Sequence, residues 1–164
     1  MHEFEPLIGT WHGTGEIPID PPMQISVEAT VERLGAFIVL RSRSTAGEVP
    51  DSISIIGGAP EGEPQPMRYF DSRGVERAYL TSIEGSTWRI WFAPDQEWTG
   101  PDGPGFNQRF IGRISVNGRT IEGTRSRRCR RRVGDRLPAD LRAEVAIRSS
   151  GSSRTSPSSL PAHP

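Results

Sequence analysis

Residues 7–15 read Leu7-Ile8-Gly9-Thr10-Trp11-His12-Gly13-Thr14-Gly15. A small β-barrel must be plugged at one end, and a Trp on its first strand can do this, while Gly9 and Gly13 on either side allow a sharp coil and close backbone approach. Working outward, residues 24–34 alternate with period two. Ile25, Val27, Ala29 and Val31 fall on one side, and Ser26, Glu28, Thr30 and Glu32 on the other, the pattern of a half-buried strand. Similar patterns predict strands over 7–17, 36–44, 52–57, 67–71, 75–83, 86–92, 106–116 and 119–124. Gly35, Gly47, Gly74, Gly85 and the Asn117-Gly118 pair lie between them. Asn-Gly between strands predicts a type I′ hairpin turn, which needs positive φ at both positions. No helix is expected before Arg125.

Connections this short place successive strands side by side and antiparallel. Nine such strands accumulate twist and would leave exposed edges, so they are expected to close. The fold class is therefore all-β, an up-and-down antiparallel barrel of about nine native strands with an irregular Arg-rich C-terminal tail. Residues 93–105, APDQEWTGPDGPG, are too rich in Pro and Gly for strand or helix. Trp98 within them either caps the barrel mouth or packs on the outer wall.

Composition agrees. The chain has 164 residues, one domain's worth, and its 18 Gly and 15 Pro favour short strands and turns. Twenty acids balance twenty bases, all of them arginine. Residues 1–124 hold ten arginines and seventeen acids, whereas residues 125–164 hold ten arginines and three acids. The last aromatic residue is Phe110. The reading is thus a barrel over 1–124 and an aberrant basic, then Ser/Pro-rich, largely disordered tail over 125–164. A lone Cys129 excludes an internal disulfide. The N-terminus lacks a signal-peptide pattern and no apolar run reaches the length of a membrane span, so a soluble cytoplasmic protein is expected.

The opening GTWHGTG, followed by YFDSRGVERAY (69–79), STWRIW (86–91), GFNQRF (105–110) and NGRTIEG (117–123), resembles a family of uncharacterised bacterial calycin-like barrels. These are related to lipocalins and fatty-acid-binding proteins and, more distantly, to nitrobindin-type haem-binding barrels. The resemblance covers about residues 5–124. It implies a final strand, acidic-aromatic-x-Leu-Thr-Tyr-x-Arg, whose arginine packs over the first-strand Trp. No such strand follows. The codons for Asp135–Val145, read one nucleotide later, can spell Thr-Asp-Phe-Arg-Leu-Thr-Tyr-Val-Arg-Lys and a stop, so a frameshift near Arg125 is expected. As translated, the first and ninth strands would then keep open edges. Residues 138–148 fit a replacement strand, with Leu141, Ala143, Val145 and Ile147 alternating, and equally a short helix from Pro138.

No catalytic constellation stands out. His2, His12 and His163 are dispersed, no metal-ligand spacing or nucleophile elbow occurs, and His12, next to Trp11, is expected to face solvent. The nitrobindin-like haem histidine near the C-terminus has no counterpart. The expectation is a non-catalytic barrel with no cofactor or metal, holding a small apolar or amphipathic molecule and needing neither membrane nor nucleic acid. A haem or nitric-oxide barrel and a nucleic-acid binder acting through its Arg-rich tail are the alternatives. Candidate ligand contacts are Arg77 and Tyr79, which share one face of their strand with Thr81 and can grip a carboxylate, together with Trp91 and the group Phe106 and Arg109. The opposite parity, burying Ala78 and Leu80, is equally compatible with the sequence. Oligomeric state is open.

Overall fold

The computed structural model describes residues 1–17, 21–45, 47, 49–92, 106–129 and 140–149. Ten strands form one closed antiparallel barrel in which each pairs with its neighbours in sequence. They are β1 Gly9–Ile17, β2 Met23–Leu34, β3 Phe37–Ser44, β4 Ser52–Ile56, β5 Gln65–Asp71, β6 Glu76–Glu84, β7 Thr87–Phe92, β8 Phe106–Ile114, β9 Thr120–Cys129 and β10 Asp140–Ser149. Closure pairs β10 with both β9 and β1, so that Ile147 sits opposite Ile121 on one side and Gly13 on the other. Among the described residues no helix is long and apolar enough to cross a membrane.

In the C-terminal part β9 continues to Cys129 and residues 140–149 form β10, the strand rather than the helix of the two forms the sequence leaves open. That strand covers the edges of β1 and β9. The alternation of Leu141, Ala143, Val145 and Ile147 matches the period of a strand, and Ile147 falls opposite the buried Ile121 of β9. A strand in that gap also satisfies two rows of backbone groups at once, which a short helix cannot do. Residues 130–139 and 150–164 lie outside the described residues. So do residues 93–105, including Trp98.

One expectation is corrected at the N-terminus. Residues 2–7 form a 3-10 helix, and the first strand begins only at Gly9. In a 3-10 helix residues three apart lie on one side, which puts Phe4 and Leu7 together against the barrel's end. Both are essentially fully buried. Trp11 follows on β1, buried, and its indole Nε1–H donates to the Leu7 carbonyl at 2.7 Å. The plug is thus a unit of helix and strand rather than Trp11 alone. Gly9 makes the corner between them at φ +139°, a backbone conformation that side-chain-bearing residues rarely adopt. At Gly13 a Cβ would meet the Val27 Cγ2 atom at 2.8 Å, so the bare backbone there admits the β2 side chain.

From this plug the core continues through Val31, Ile38, Ile56, Met67, Trp88, Ile114 and Ile121 to Tyr79 and Phe110. Phe110 occupies space that side chains on β9 would fill: a Cβ on Gly123 would fall 2.6 Å from its ring. Trp88 meets Phe110 edge-on, with centroids 5.2 Å apart. The Trp88 Nε1–H donates to the Thr81 hydroxyl at 2.9 Å, which in turn donates to the Arg89 carbonyl at 2.8 Å, so a buried indole and a fully buried hydroxyl satisfy one another.

The turn at Asn117-Gly118 differs from the type I′ expectation. No residue other than glycine has positive φ among the described residues, and Gly118 alone carries it here, at +66°. The Gly118 N–H donates to the Ser115 carbonyl at 2.8 Å, closing a four-residue turn, while the Asn117 Oδ1 accepts from the Arg119 N–H at 3.0 Å. The asparagine side chain stabilises this turn by mimicking a backbone acceptor, so it need not take positive φ itself.

Candidate functional site

The connections divide between two ends. The 3-10 helix lies at the same end as the turns around residues 35–36, 57–64, 85–86 and 115–119. The strand ends where β1, β3, β5, β7 and β9 finish lie at the other, the mouth. The inward rows change character between these ends. Near the plug they are mostly apolar, with Gln65 and Thr81 as fully buried exceptions. Toward the mouth β3, β4, β5 and β6 contribute Ser42, Ser52, Ser54, Tyr69, Asp71 and Arg77.

This parity is fixed by β6. Tyr79 and Thr81 are buried, and Ile83 packs on the interior cluster, so Arg77, Tyr79, Thr81 and Ile83 face inward and Ala78 and Leu80 outward. Arg77 lies opposite Tyr69, with its guanidinium carbon 5.9 Å from the Tyr69 ring centre, a cation–π contact. Tyr69 meets Tyr79 edge-on at 6.2 Å, and Tyr79 stacks on Phe92 at 4.7 Å. Arg77 and Tyr79 therefore stand in one aromatic-lined corner of the interior.

Beside it, the Tyr69 hydroxyl donates to the Asp71 Oδ2 at 3.2 Å, and the Ser42 and Ser52 hydroxyls lie 2.8 Å apart. Asp71 also ties down the β5–β6 turn. It accepts from the Arg73 side chain at 2.7 Å and from the backbone N–H groups of Arg73 and Val75 at 3.0 and 3.3 Å. Burial alone would raise its pKa, but these hydrogen bonds and the Arg73 charge outweigh it and hold the carboxyl below the usual range. The carboxylate is thereby committed to structure. On the adjoining rim Arg73, Ser72, Asp51, Pro50, Val49 and Gly47 line a hollow of about 420 Å³.

Two expected site residues are corrected. Trp88, Ile90 and Phe92 are the inward residues of β7, so Trp91 lies on the outer wall, half-buried, opposite Leu80. Arg109 pairs with Trp91 in the next strand and is exposed on that same wall. The physical reason is the period of the strand: Phe110 faces inward, so its immediate neighbour must face out. The side chain of Phe106 lies outside the described residues. Conversely, the sequence reading missed Tyr69, Phe92 and the serines. Tyr69 and Phe92 are the cross-strand partners of Arg77 and Tyr79, and Ser54 that of Tyr69, a register that no local sequence pattern reveals.

His12 sits on the outer wall, with its Nδ1 3.6 Å from Glu28. Among the described residues no group of three potential ligands is placed to hold a metal ion. A second concavity, of about 610 Å³, runs over the outside of β1, β8, β9 and β10 between residues such as Thr14, Arg113 and Glu122. It is an open furrow on the wall, far from the inward cluster. The inward corner is the better candidate because a guanidinium, a phenol and stacked aromatic rings meet there on the inner face of the barrel.

No protein-family model matches the chain, and no curated protein does. Among solved structures, it is similar to the crystal structure of Rv2717c from M. tuberculosis, with a TM-score of 0.60 over 92% of this chain and 96% of that one, at 12% identity. At that identity the likeness is one of fold.

Proposed function

We propose that the barrel binds a small amphipathic molecule at its mouth, without catalysing a reaction. The observation that carries this reading is the inward corner in which Arg77 stands over Tyr69 beside stacked Tyr79 and Phe92, at the opposite end from the plug. A guanidinium offers several N–H donors in a fixed plane, suited to a carboxylate or similar head group. The aromatic rings suit the apolar body of such a ligand. Ser42, Ser52 and Ser54 supply further hydroxyls. The similarity of the Gly-x-Trp opening to calycin barrels, many of which hold a ligand inside, supports the same reading. Arg109 and Trp91 have no part in it, since both face outward.

The test is displacement of an anionic fluorescent probe, 1-anilinonaphthalene-8-sulfonate, by medium-chain carboxylates. The wild-type chain is expected to bind the probe and release it to the competitor. Arg77→Ala should weaken competitor binding by roughly tenfold or more, the value of one charge-assisted contact, while Arg109→Ala leaves it unchanged. Equal affinity in wild type and Arg77→Ala, or no displaceable binding at all, would refute the proposal.

A further inference from the structure

The structure assigns the outer wall of β2–β5 to a twofold contact with a second copy of this chain. Register pairs Leu34 with Phe37, Val39 with Ile55, and Ile53 with Phe70. Phe37 and Val39 are two apart on β3, as are Ile53 and Ile55 on β4, so these side chains share one face and adjoin from pair to pair. Leu34 is 65% exposed, Phe37 42%, Ile55 38% and Phe70 37%. Val39, by contrast, is buried although it points away from the interior, with Glu32 and Ile55 as its cross-strand neighbours. The apolar side chains thus form a diagonal band across the wall, with Glu32, Arg41 and Arg68 directly beside it.

The size and charge of this wall favour a second copy over another partner. The exposed apolar area is on the order of 400 Å², within the range of the largest patch on a typical monomer, which is often functional. A stable dimer buries roughly 800 Å² on each partner, a little over half of it apolar, so a patch of this size can supply the apolar part of one half of such a contact. The margin carries Glu32 and Glu76 against Arg41 and Arg68, two charges of each sign, with Arg41 3.5 Å from Glu32 and Arg68 3.4 Å from Glu76. A twofold contact brings a surface against itself and requires such balance, whereas a strongly acidic or basic partner would select a single sign.

The experiment is sedimentation velocity on the full chain over a dilution series downward from ~100 µM. Wild type is expected at twice the chain mass at the top of the series. Leu34→Glu and Ile55→Arg each place a charge in the contact and should raise the dissociation constant on the order of 30-fold or more, moving the dimer-to-single-chain midpoint of the series up by that factor. Val116→Glu changes a still more exposed apolar residue, in the β8–β9 turn, and should remain dimeric. Both wall positions are exposed, so circular dichroism of each variant should match wild type. A single-chain mass for wild type, or dimers that persist in both well-folded wall variants, would overturn the assignment.

Discussion

Phe4→Ala tests whether the N-terminal helix is truly the barrel's plug. The Phe4 side chain is completely removed from solvent and packs with Leu7 in the interior cluster. Transferring its ring to water costs about 2–3 kcal/mol. If the surroundings relax only in part, a void on the order of 80 Å³ at ~24 cal/mol per Å³ adds about 2 kcal/mol. The total, about 4–5 kcal/mol, corresponds to a fall in Tm of roughly 10–15 °C for a domain of this size. Urea and thermal unfolding followed by tryptophan fluorescence and circular dichroism measure both quantities. Glu5→Ala is the matched control, since Glu5 lies in the same helix but makes an exposed ion pair with Arg33, worth at most about 1 kcal/mol. A Phe4→Ala loss below about 1 kcal/mol would mean that the helix contributes nothing to closing the barrel, and the reasoning from burial would fail.

Three further outcomes follow from other parts of the interior. Gly123→Val should destabilise by about 1–3 kcal/mol in urea titrations, because a side chain there collides with the Phe110 ring. Thr81→Val keeps the shape of a fully buried side chain but leaves the Trp88 indole N–H without its acceptor, and a loss of about 1–3 kcal/mol is expected in the same assay. Asp71 has a folded-state pKa below its unfolded value, so its contribution to stability is present above the unfolded pKa and lost as pH falls through the folded one. Stability measured downward from pH 5 should therefore drop more in wild type than in Asp71→Asn, and parallel acid limbs would count against the hydrogen-bond network at the β5–β6 turn.

Much of the barrel is written in period-two alternation. The strand at residues 24–34 shows it plainly, because one side of β2 faces a packed interior and the other faces water. The same rule gives the direction of each candidate side chain once one residue on each strand is anchored. Buried Tyr79 orients β6 and brings Arg77 inward; buried Trp88 orients β7 and sends Trp91 out; buried Phe110 does the same to Arg109. In the sequence these anchors were ambiguous, since β7 reads Trp-Arg-Ile-Trp-Phe with aromatic residues on both parities. Tyr69 was hidden for a different reason: its role depends on cross-strand register with Arg77, which no local pattern reveals. The plug escaped because a single 3-10 turn shows no sustained period. β10 was obscured by composition, its alternation set among arginines and small residues that read as tail.

The claim on which all of this depends is that residues 140–149 complete a closed barrel between β1 and β9. Hydrogen–deuterium exchange of the full chain, read by mass spectrometry on peptides covering 140–149, tests it directly. Amides of β10 are expected to be protected to the same extent as those of β1 and β9, because each face of a paired strand is hydrogen-bonded. Exchange of the 140–149 peptide at the rate of an unstructured chain, while β2–β8 remain protected, would contradict the account.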